Sequence, residues 1–448
     1  MNTITSLHAH FTHGSDSAVA FVARQITRVT DPAGEGSRAY LSLDQAAVKR
    51  AAEVSQQRFA SGSARPLEGI TISIKDLFDV QGEVTAAGST VLRTRPAAVT
   101  DSPAVARLRA AGAIIFGRNN MVEFAYSGVG INPHFGTPRN VWGRTPDGGG
   151  RAPGGSSSGG GVAVADGMTV AALGSDTGGS VRLPAALNGV CGFKPTAVRV
   201  PVVGAIPLSV THDSVGPIAN SVDCCARIDA ILAGETYAPL PRRSLRGARL
   251  LKPDSLIWRE LDPEVEASVN AALEKLRSAG AEIVEMPLAP LDELFGRPSI
   301  IAAEALDWHG AHIDMNGEGY DPRVWLRMQT GRDVTRGQYS AVLAYRRLWI
   351  DRMNIAVAGF DAVVCPTVAC IAPEIAPLIA DDALFFKTNA RILRNTAWVN
   401  FMDGCALTLP CHRMGSAPVG LQLVGRHGQD HTILALGLAC EATLSAVN

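Results

Sequence analysis

The chain has 448 residues, of which 46% are hydrophobic and only 6% aromatic, and its 41 Lys and Arg residues nearly balance 42 Asp and Glu residues. A chain of this length can bury a large core of mainly aliphatic side chains, in one α/β domain or in up to about three domains. The formal net charge of −1 excludes the strong positive field that binding to nucleic acid or to an acidic membrane requires. We therefore expect a small-molecule partner.

The sequence predicts neither a membrane span nor a secretory signal. No stretch without charged residues exceeds 15 residues, whereas a spanning helix needs about 20 apolar residues. The N-terminal MNTITSLHAHFTHG lacks a basic start followed by an apolar core, and its histidines lack the Cys or carboxylate neighbours of a metal site. The eight cysteines include no CxxC pair, which indicates reduced thiols. Together these features predict a cytoplasmic protein.

Helix and strand patterns alternate along the chain. Residues 18–59 predict two or three helices around a break at DPAGEG, and GITISIKDLFDV predicts a strand that ends at Lys75. SPAVARLRAAGAIIFGRNNM, VAVADGMTVAALGSD and residues 245–286 each predict a helix followed by a strand. Residues 292–360 have a helical, charged pattern, and FDAVVCPTVA and APVGLQLVG again predict strands. This alternation is typical of an α/β fold.

The stretch APGGSSSGGGVAVAD, residues 152–166, concentrates three serines among glycines, and three kinds of site compete for it. A P-loop needs Lys and Ser or Thr after its last glycine, whereas Gly161 is followed by VAVAD, which disfavours a phosphate site. Gly155, Ser157 and Gly159 match the nucleophile elbow G-x-S-x-G. The preceding WGRTPDGGGRAP cannot form the buried strand that this elbow needs, which disfavours the second kind of site.

A second stretch, GSDTGGSVRLPAALNG at residues 174–189, favours the third kind of site, one for a serine nucleophile. Ser180 follows Gly178 and Gly179, which let consecutive backbone N–H groups converge beside its hydroxyl. A nucleophile and an oxyanion hole would then come from one turn. For this stretch alone, a glycine-rich loop that only packs against the sheet stays open.

Seven segments, taken in order, resemble the amidase signature family, whose hydrolases use a Ser, cis-Ser, Lys triad. They are GITISIKDLFDV, NMVEFAYSG, FGTPRNVW, APGGSSSGGG, GSDTGGSVRLPA, GFKPT and APVGLQLVGR. The resemblance covers most of the chain and implies a large mixed, mostly parallel β-sheet with helices on both faces. It also implies that residues 1–60 form a helical segment packed on a catalytic domain of residues 61–448, as a single domain overall.

Carried over residue by residue, the resemblance implies that Ser180 is the nucleophile, that Ser156 is a bridging serine preceded by a cis peptide bond, and that Lys75 is the base. The separation of 24 residues between the two serines agrees with the family's spacing and selects Ser156 from the three consecutive serines. The resemblance further implies an oxyanion hole of the N–H groups of Thr177, Gly178, Gly179 and Ser180, supporting residues Asp176 and Arg182, and pocket residues Met121 and Tyr126.

The implied chemistry is acyl transfer to a serine. Lys75 accepts a proton only when it is neutral, and burial favours that state. It would then draw a proton from Ser156 while Ser156 draws one from Ser180, which attacks a carbonyl. No metal or organic cofactor is required. The sequence thus predicts an amidase that hydrolyses a carboxamide-type C–N bond of a small molecule.

Other functions stay open at this point. NMVEFAYSG and FGTPRN also resemble the glutaminase subunit of a tRNA-dependent amidotransferase, which would need partner subunits. The same acyl chemistry would serve an esterase or a carbamate hydrolase, and the scaffold alone would serve a catalytically silent binding protein. The resemblance suggests a homodimer. It leaves the pocket shape open, because residues 403–405, Asp-Gly-Cys, stand where the family commonly has Gly-Leu-Pro.

Overall fold

The computed structural model describes residues 2–241 and 243–445, which form an eleven-stranded sheet surrounded by helices. The strands are β1 Tyr40–Ser42, β2 Thr71–Lys75, β3 Ile114–Asn119, β4 Ala171–Asp176, β5 Cys191–Lys194, β6 Ser214–Ala219, β7 Arg249–Asp254, β8 Glu282–Pro287, β9 Ala362–Pro366, β10 Cys405–Pro410 and β11 Gly420–Gly425.

The α-helices of the described residues range from four to 21 residues in length. They are α1 Ile4–His13, α2 Ala18–Thr30, α3 Gly36–Ala39, α4 Gln45–Ala60, α5 Pro103–Ala110, α6 Ser158–Ala165, α7 Arg182–Leu187, α8 Val222–Ala233, α9 Pro263–Ser278, α10 Ala289–Asp292, α11 Ile301–His312, α12 Pro322–Gln329, α13 Arg336–Ala356, α14 Ile375–Ala380, α15 Asp382–Leu393, α16 Ala397–Met402 and α17 Asp430–Ser445. In this part of the chain, none of them combines the length and the apolar character that a bilayer span requires.

The sheet has the strand order β1-β3-β2-β4-β6-β5-β10-β11-β9-β7-β8. Every residue of β2, β4, β6 and β11 is buried, so both faces of its middle are covered, and the expected mixed α/β class is confirmed. Parallel pairs lie toward the two ends of the sheet. The remaining six pairs among the described strands are antiparallel. Antiparallel strand pairs therefore outnumber parallel ones. Adjacent strands in the middle of the sheet are not connected to each other by a crossover helix, which a parallel pair needs.

The first 60 residues contribute a strand as well as helices. α1 buries Ile4, Leu7 and Phe11, whose spacing places them on one helix face, in the main core. Between residues 18 and 59 the structure has α2, the one-turn α3 and α4, as predicted, and in addition β1, which pairs antiparallel with β3. A three-residue strand is too short to show an alternating pattern. This packing supports the proposed single-domain organisation.

Parallel pairing of β2 and β4 positions the site. In a parallel pair the carboxyl ends of both strands lie at the same edge of the sheet. Ile74 pairs with Leu173, so Lys75 at the end of β2 comes close to the last residues of β4. The glycine and serine loop leads into α6, which packs on β4. The three predicted triad segments thus meet at one edge.

Candidate active site

The amino group of Lys75 lies in a buried polar cluster, and the residue is only 1% exposed. Its Nζ donates to Ser156 Oγ at 2.8 Å and to Ser175 Oγ at 2.8 Å. Burial lowers the pKa of Lys75 from 10.5 to about 7, although the negative charges of Asp176 and Asp213 oppose the shift. A large neutral fraction therefore exists near neutral pH, as a base requires.

Ser156 is joined to Gly155 by a cis peptide bond, as the resemblance implied. The loop is held by the neighbouring segment 122–130. The Val122 N–H donates to the Ser156 carbonyl oxygen at 3.0 Å. A Cβ built on Gly155 would lie 2.7 Å from the Ser127 carbonyl oxygen, so position 155 requires glycine for close approach of the two backbones.

Ser180 lies in the turn after β4 and is 4% exposed. The Ser157 N–H donates to the Ser180 carbonyl oxygen at 3.3 Å, which joins the two serine loops. The Ser180 hydroxyl has no hydrogen bond to another described residue, and Lys75 contacts Ser156 rather than Ser180. The structure therefore brings Lys75 and Ser156 together and places Ser180 in the adjoining turn.

The four predicted oxyanion donors differ in their availability. The Gly179 N–H donates to Asp176 Oδ1 at 2.8 Å, so this donor is already engaged, contrary to expectation, because the carboxylate caps the turn. The N–H groups of Thr177, Gly178 and Ser180 have no acceptor among the residues that the structure describes. These three groups remain free to bind an oxyanion.

Asp176 and Arg182 form an ion pair at 2.8 Å in which neither side chain is exposed. Burial alone would raise the pKa of Asp176, but the charge and hydrogen bonds of Arg182 lower it well below its usual range. Arg182 also donates to Asn400 Oδ1 at 2.7 Å and to Gln422 Oε1 at 2.8 Å. The pair therefore ties the turn after β4 to α16 and β11.

Met121 and Tyr126 lie in the segment that supports the Ser156 loop. Met121 is 0% exposed and belongs to the main core. The guanidinium carbon of Arg327 lies 4.4 Å from the centroid of the Tyr126 ring, and Arg327 also donates to the Tyr126 carbonyl oxygen. The pocket roles of Met121 and Tyr126 stay predictions.

The sequence did not predict two residues of the site, Ser175 and Asp213. Ser175, the second hydroxyl on Lys75, stands in GSDTGGS, and the parallel pairing of β2 with β4 is the signal that would have placed it there. Asp213 accepts from Thr177 Oγ1 at 2.5 Å, and burial raises the pKa of its carboxyl to about 6. The separation of 36 residues between these partners leaves no local sequence signal.

The arrangement contains the groups that acyl transfer to a hydroxyl needs. It has a buried amine with a lowered pKa, a bridging hydroxyl in contact with it, a second hydroxyl in the adjoining turn and free N–H donors beside that hydroxyl. Within residues 2–241 and 243–445, no three His, Cys, Asp or Glu side chains converge in a way that could hold a metal ion.

Comparisons with known proteins establish the family. The family model described as Amidase matches residues 28–434. The 2-amino-5-chloromuconic acid deaminase of Comamonas testosteroni is 35% identical over 91% of this chain and 88% of that protein. A glutamyl-tRNA(Gln) amidotransferase subunit of Roseiflexus castenholzii is 33% identical over 89% of this chain and 87% of that protein. A crystal structure of an amidase matches with a TM-score of 0.85 and 31% identity over 99% of this chain and 100% of that one. The resemblance is confirmed, and the chain belongs to the amidase family of amidohydrolases.

Proposed function

We propose that this chain hydrolyses a carboxamide-type C–N bond of a small molecule through an acyl-enzyme on Ser180, with Ser156 and Lys75 as the proton relay. The observation that carries the proposal is the 2.8 Å contact between Lys75 Nζ and Ser156 Oγ, in a buried site next to the Ser180 turn. Membership of the amidase family supports the reaction class.

In the first half of the reaction, neutral Lys75 accepts the proton of Ser156 while Ser156 accepts the proton of Ser180. The Ser180 oxygen attacks the amide carbon, and the free N–H groups of Thr177, Gly178 and Ser180 stabilise the developing oxyanion. The relay returns the proton to the departing nitrogen as the C–N bond breaks. The products are an ester on Ser180 and free ammonia or amine.

In the second half, a water molecule loses a proton to the same relay and attacks the ester carbon. The carboxylic acid leaves, and the proton returns to the Ser180 oxygen. Asp176 and Arg182 act as positioning residues, because their ion pair holds the turn that carries the nucleophile and the oxyanion donors.

Substitution of the triad tests the proposal. Lys75→Ala, Ser156→Ala and Ser180→Ala are each expected to lower kcat for an amide substrate by about 1,000-fold or more, while circular dichroism shows an unchanged fold. Ser158→Ala is the matched control, since this buried serine in the same run has no hydrogen-bond partner among the described residues. A folded Lys75→Ala enzyme with near wild-type kcat would contradict the relay.

The glutaminase component of a tRNA-dependent amidotransferase is a second candidate. The 33% identity to the amidotransferase subunit of Roseiflexus castenholzii is the observation that favours it. Such a protein would co-purify with partner subunits and depend on them for activity. Assays with ester and carbamate substrates test whether the chain is an esterase or a carbamate hydrolase instead. Release of ammonia from any amide would exclude a catalytically silent binding protein.

We further propose a cytoplasmic homodimer. The eight cysteines are free thiols and seven of them are buried, which is typical of proteins from a reducing compartment. Cell fractionation tests the location, and multi-angle light scattering tests the dimer. A protein recovered with a removed leader, or one that runs as a monomer at all concentrations, would contradict these two proposals.

A further inference from the structure

A cavity of about 400 Å³ shares one wall with the segment that supports the turn after β4. One wall comes from residues 393–401, the segment that also holds this turn, since the Thr396 hydroxyl donates to the Gly178 carbonyl oxygen at 2.5 Å. A Cβ built on Gly178 would lie 3.4 Å from Leu393 Cδ2 and 3.8 Å from Ala397 Cβ, both in the wall. Leu393 and Ala397 therefore lie between the cavity and the turn that carries the proposed oxyanion donors.

The walls of this cavity are mostly apolar, and four of the side chains are aromatic: Phe295, Tyr345, Trp398 and Phe401. They come from α13, α16 and the connection between α10 and α11. The Tyr345 hydroxyl has no hydrogen-bond partner among the described residues, so the wall includes one free neutral polar atom. A cavity of this size and lining suits a ring or a branched hydrocarbon group.

The charged side chains of the lining are engaged with protein partners. Arg297 donates from Nε to a backbone carbonyl at 2.8 Å, and its guanidinium carbon lies 3.9 Å from the Tyr345 ring centroid. Arg394 donates to another backbone carbonyl at 2.7 Å and lies 3.7 Å from the Glu260 carboxylate. Burial lowers the pKa of His212 to about 3, so its imidazole is neutral. Arg297 and Arg394 are thus the two cations of a lining that is otherwise neutral, and the Nη atoms of Arg297 have no hydrogen-bond partner among the described residues.

We infer that this cavity binds an uncharged aromatic or branched aliphatic group of the amide substrate. The enzyme then favours amides that carry such a group over acetamide. The inference rests on the proposed function, because a group bound in the cavity affects the reaction only if Ser180 in the neighbouring turn is the nucleophile. The inference names the class of substrate and the residues that select this substrate.

A cavity-filling variant tests the inference. The kcat/KM values for acetamide, phenylacetamide and acetanilide are compared, since the last two carry the ring on the acyl side and on the amine side. Wild-type enzyme is expected to favour at least one ring-bearing amide over acetamide by at least about tenfold. Val342→Trp, which fills the cavity from α13, is expected to abolish most of this preference. Ala344→Trp, an exposed position on the same helix outside the lining, is the matched control and keeps the preference.

A binding measurement separates this inference from the proposed catalytic mechanism. Calorimetry with Ser180→Ala is expected to show binding of the ring-bearing amide, and Val342→Trp in that background weakens the binding by at least about tenfold. That result supports the cavity even where no amide is turned over. Ala390→Phe fills the cavity from α15 and serves as the second variant. The inference is wrong if folded enzyme with either substitution keeps the ring preference and affinity, or if wild-type enzyme favours acetamide.

Discussion

The charge on Lys75 is the residue-scale feature on which the proposed reaction depends. A lysine that is 1% exposed, with two hydroxyls at 2.8 Å and no carboxylate within ion-pair distance among the described residues, loses its proton far more easily than one in water. The sequence alone predicted Lys75 at a strand end, and the family resemblance supplied its role. The second hydroxyl, from Ser175, could not be predicted without the pairing of β2 with β4.

The pH dependence of kcat/KM should report the ionisation of Lys75. Only the neutral amine accepts the Ser156 proton, so activity is expected to rise with pH through an apparent pKa of about 7 and to fall as the pH drops below it. A profile from pH about 5 to about 9 measures this limb.

The Asp213→Asn variant is the control for this limb, because the pKa of Asp213, about 6, lies in the same range. Removing its negative charge lowers the pKa of Lys75 and moves the limb to lower pH. A wild-type profile that is flat, or that declines with rising pH over this range, would contradict the role of Lys75.

Ser175→Ala tests whether the second hydroxyl orients the amine. Loss of a hydrogen bond that contributes about 1 to 1.5 kcal/mol is expected to lower kcat about tenfold while the fold is unchanged. Ser255→Ala is the matched control, because this serine is also buried and its hydroxyl has no partner among the described residues. Equal kcat values for the two variants would show that Ser175 does not orient Lys75.

At the scale of elements, the sequence predicted the positions of strands that follow a helix, but it did not predict which strands pair with each other in the sheet. The alternating pattern before Lys75 predicts β2, which the structure has at Thr71–Lys75. The antiparallel centre depends on pairing of β5 with β10, whose paired residues Phe193 and Leu407 are far apart in the chain. Local periodicity carries no information about such long-range partners, so the proportion of parallel pairs could not be derived from it.

Arg182, the first residue of α7, contacts residues of β4, α16 and β11. Its replacement is expected to destabilise the fold. Arg182→Met leaves Asp176 buried without its cation and should lower the free energy of unfolding by about 3 to 5 kcal/mol in urea titrations. Arg259→Ala is the control, since its ion pair with Asp254 is more than half exposed and contributes at most about 1 kcal/mol. Similar losses in both variants would contradict the structural role of the buried pair.

At the scale of the whole molecule, the site is assembled from distant parts of one chain. Lys75, Ser156 and Ser180 come from the first half, whereas Asn400 and Gln422 support the turn from the C-terminal region. The family segments in the first half were sufficient to propose Lys75, Ser156 and Ser180 as a triad. The supporting contacts and the apolar cavity were not predictable, because they depend on how residues 290–425 fold over the turn.

We expect the purified chain alone to hydrolyse amides, since these contacts all come from one chain. An ammonia-release assay across gel-filtration fractions checks this, with Ser180→Ala as the control for contaminating activity. Activity that appears only after addition of amidotransferase partner subunits would favour the glutaminase function instead.

Covalent labelling of Ser180 tests the central claim most directly. After inactivation by a sulfonyl fluoride, peptide mass spectrometry is expected to locate the adduct on Ser180, with little adduct in Lys75→Ala and none in Ser180→Ala. Wild-type enzyme that is fully inactivated with Ser180 unmodified would show that another residue carries the reaction.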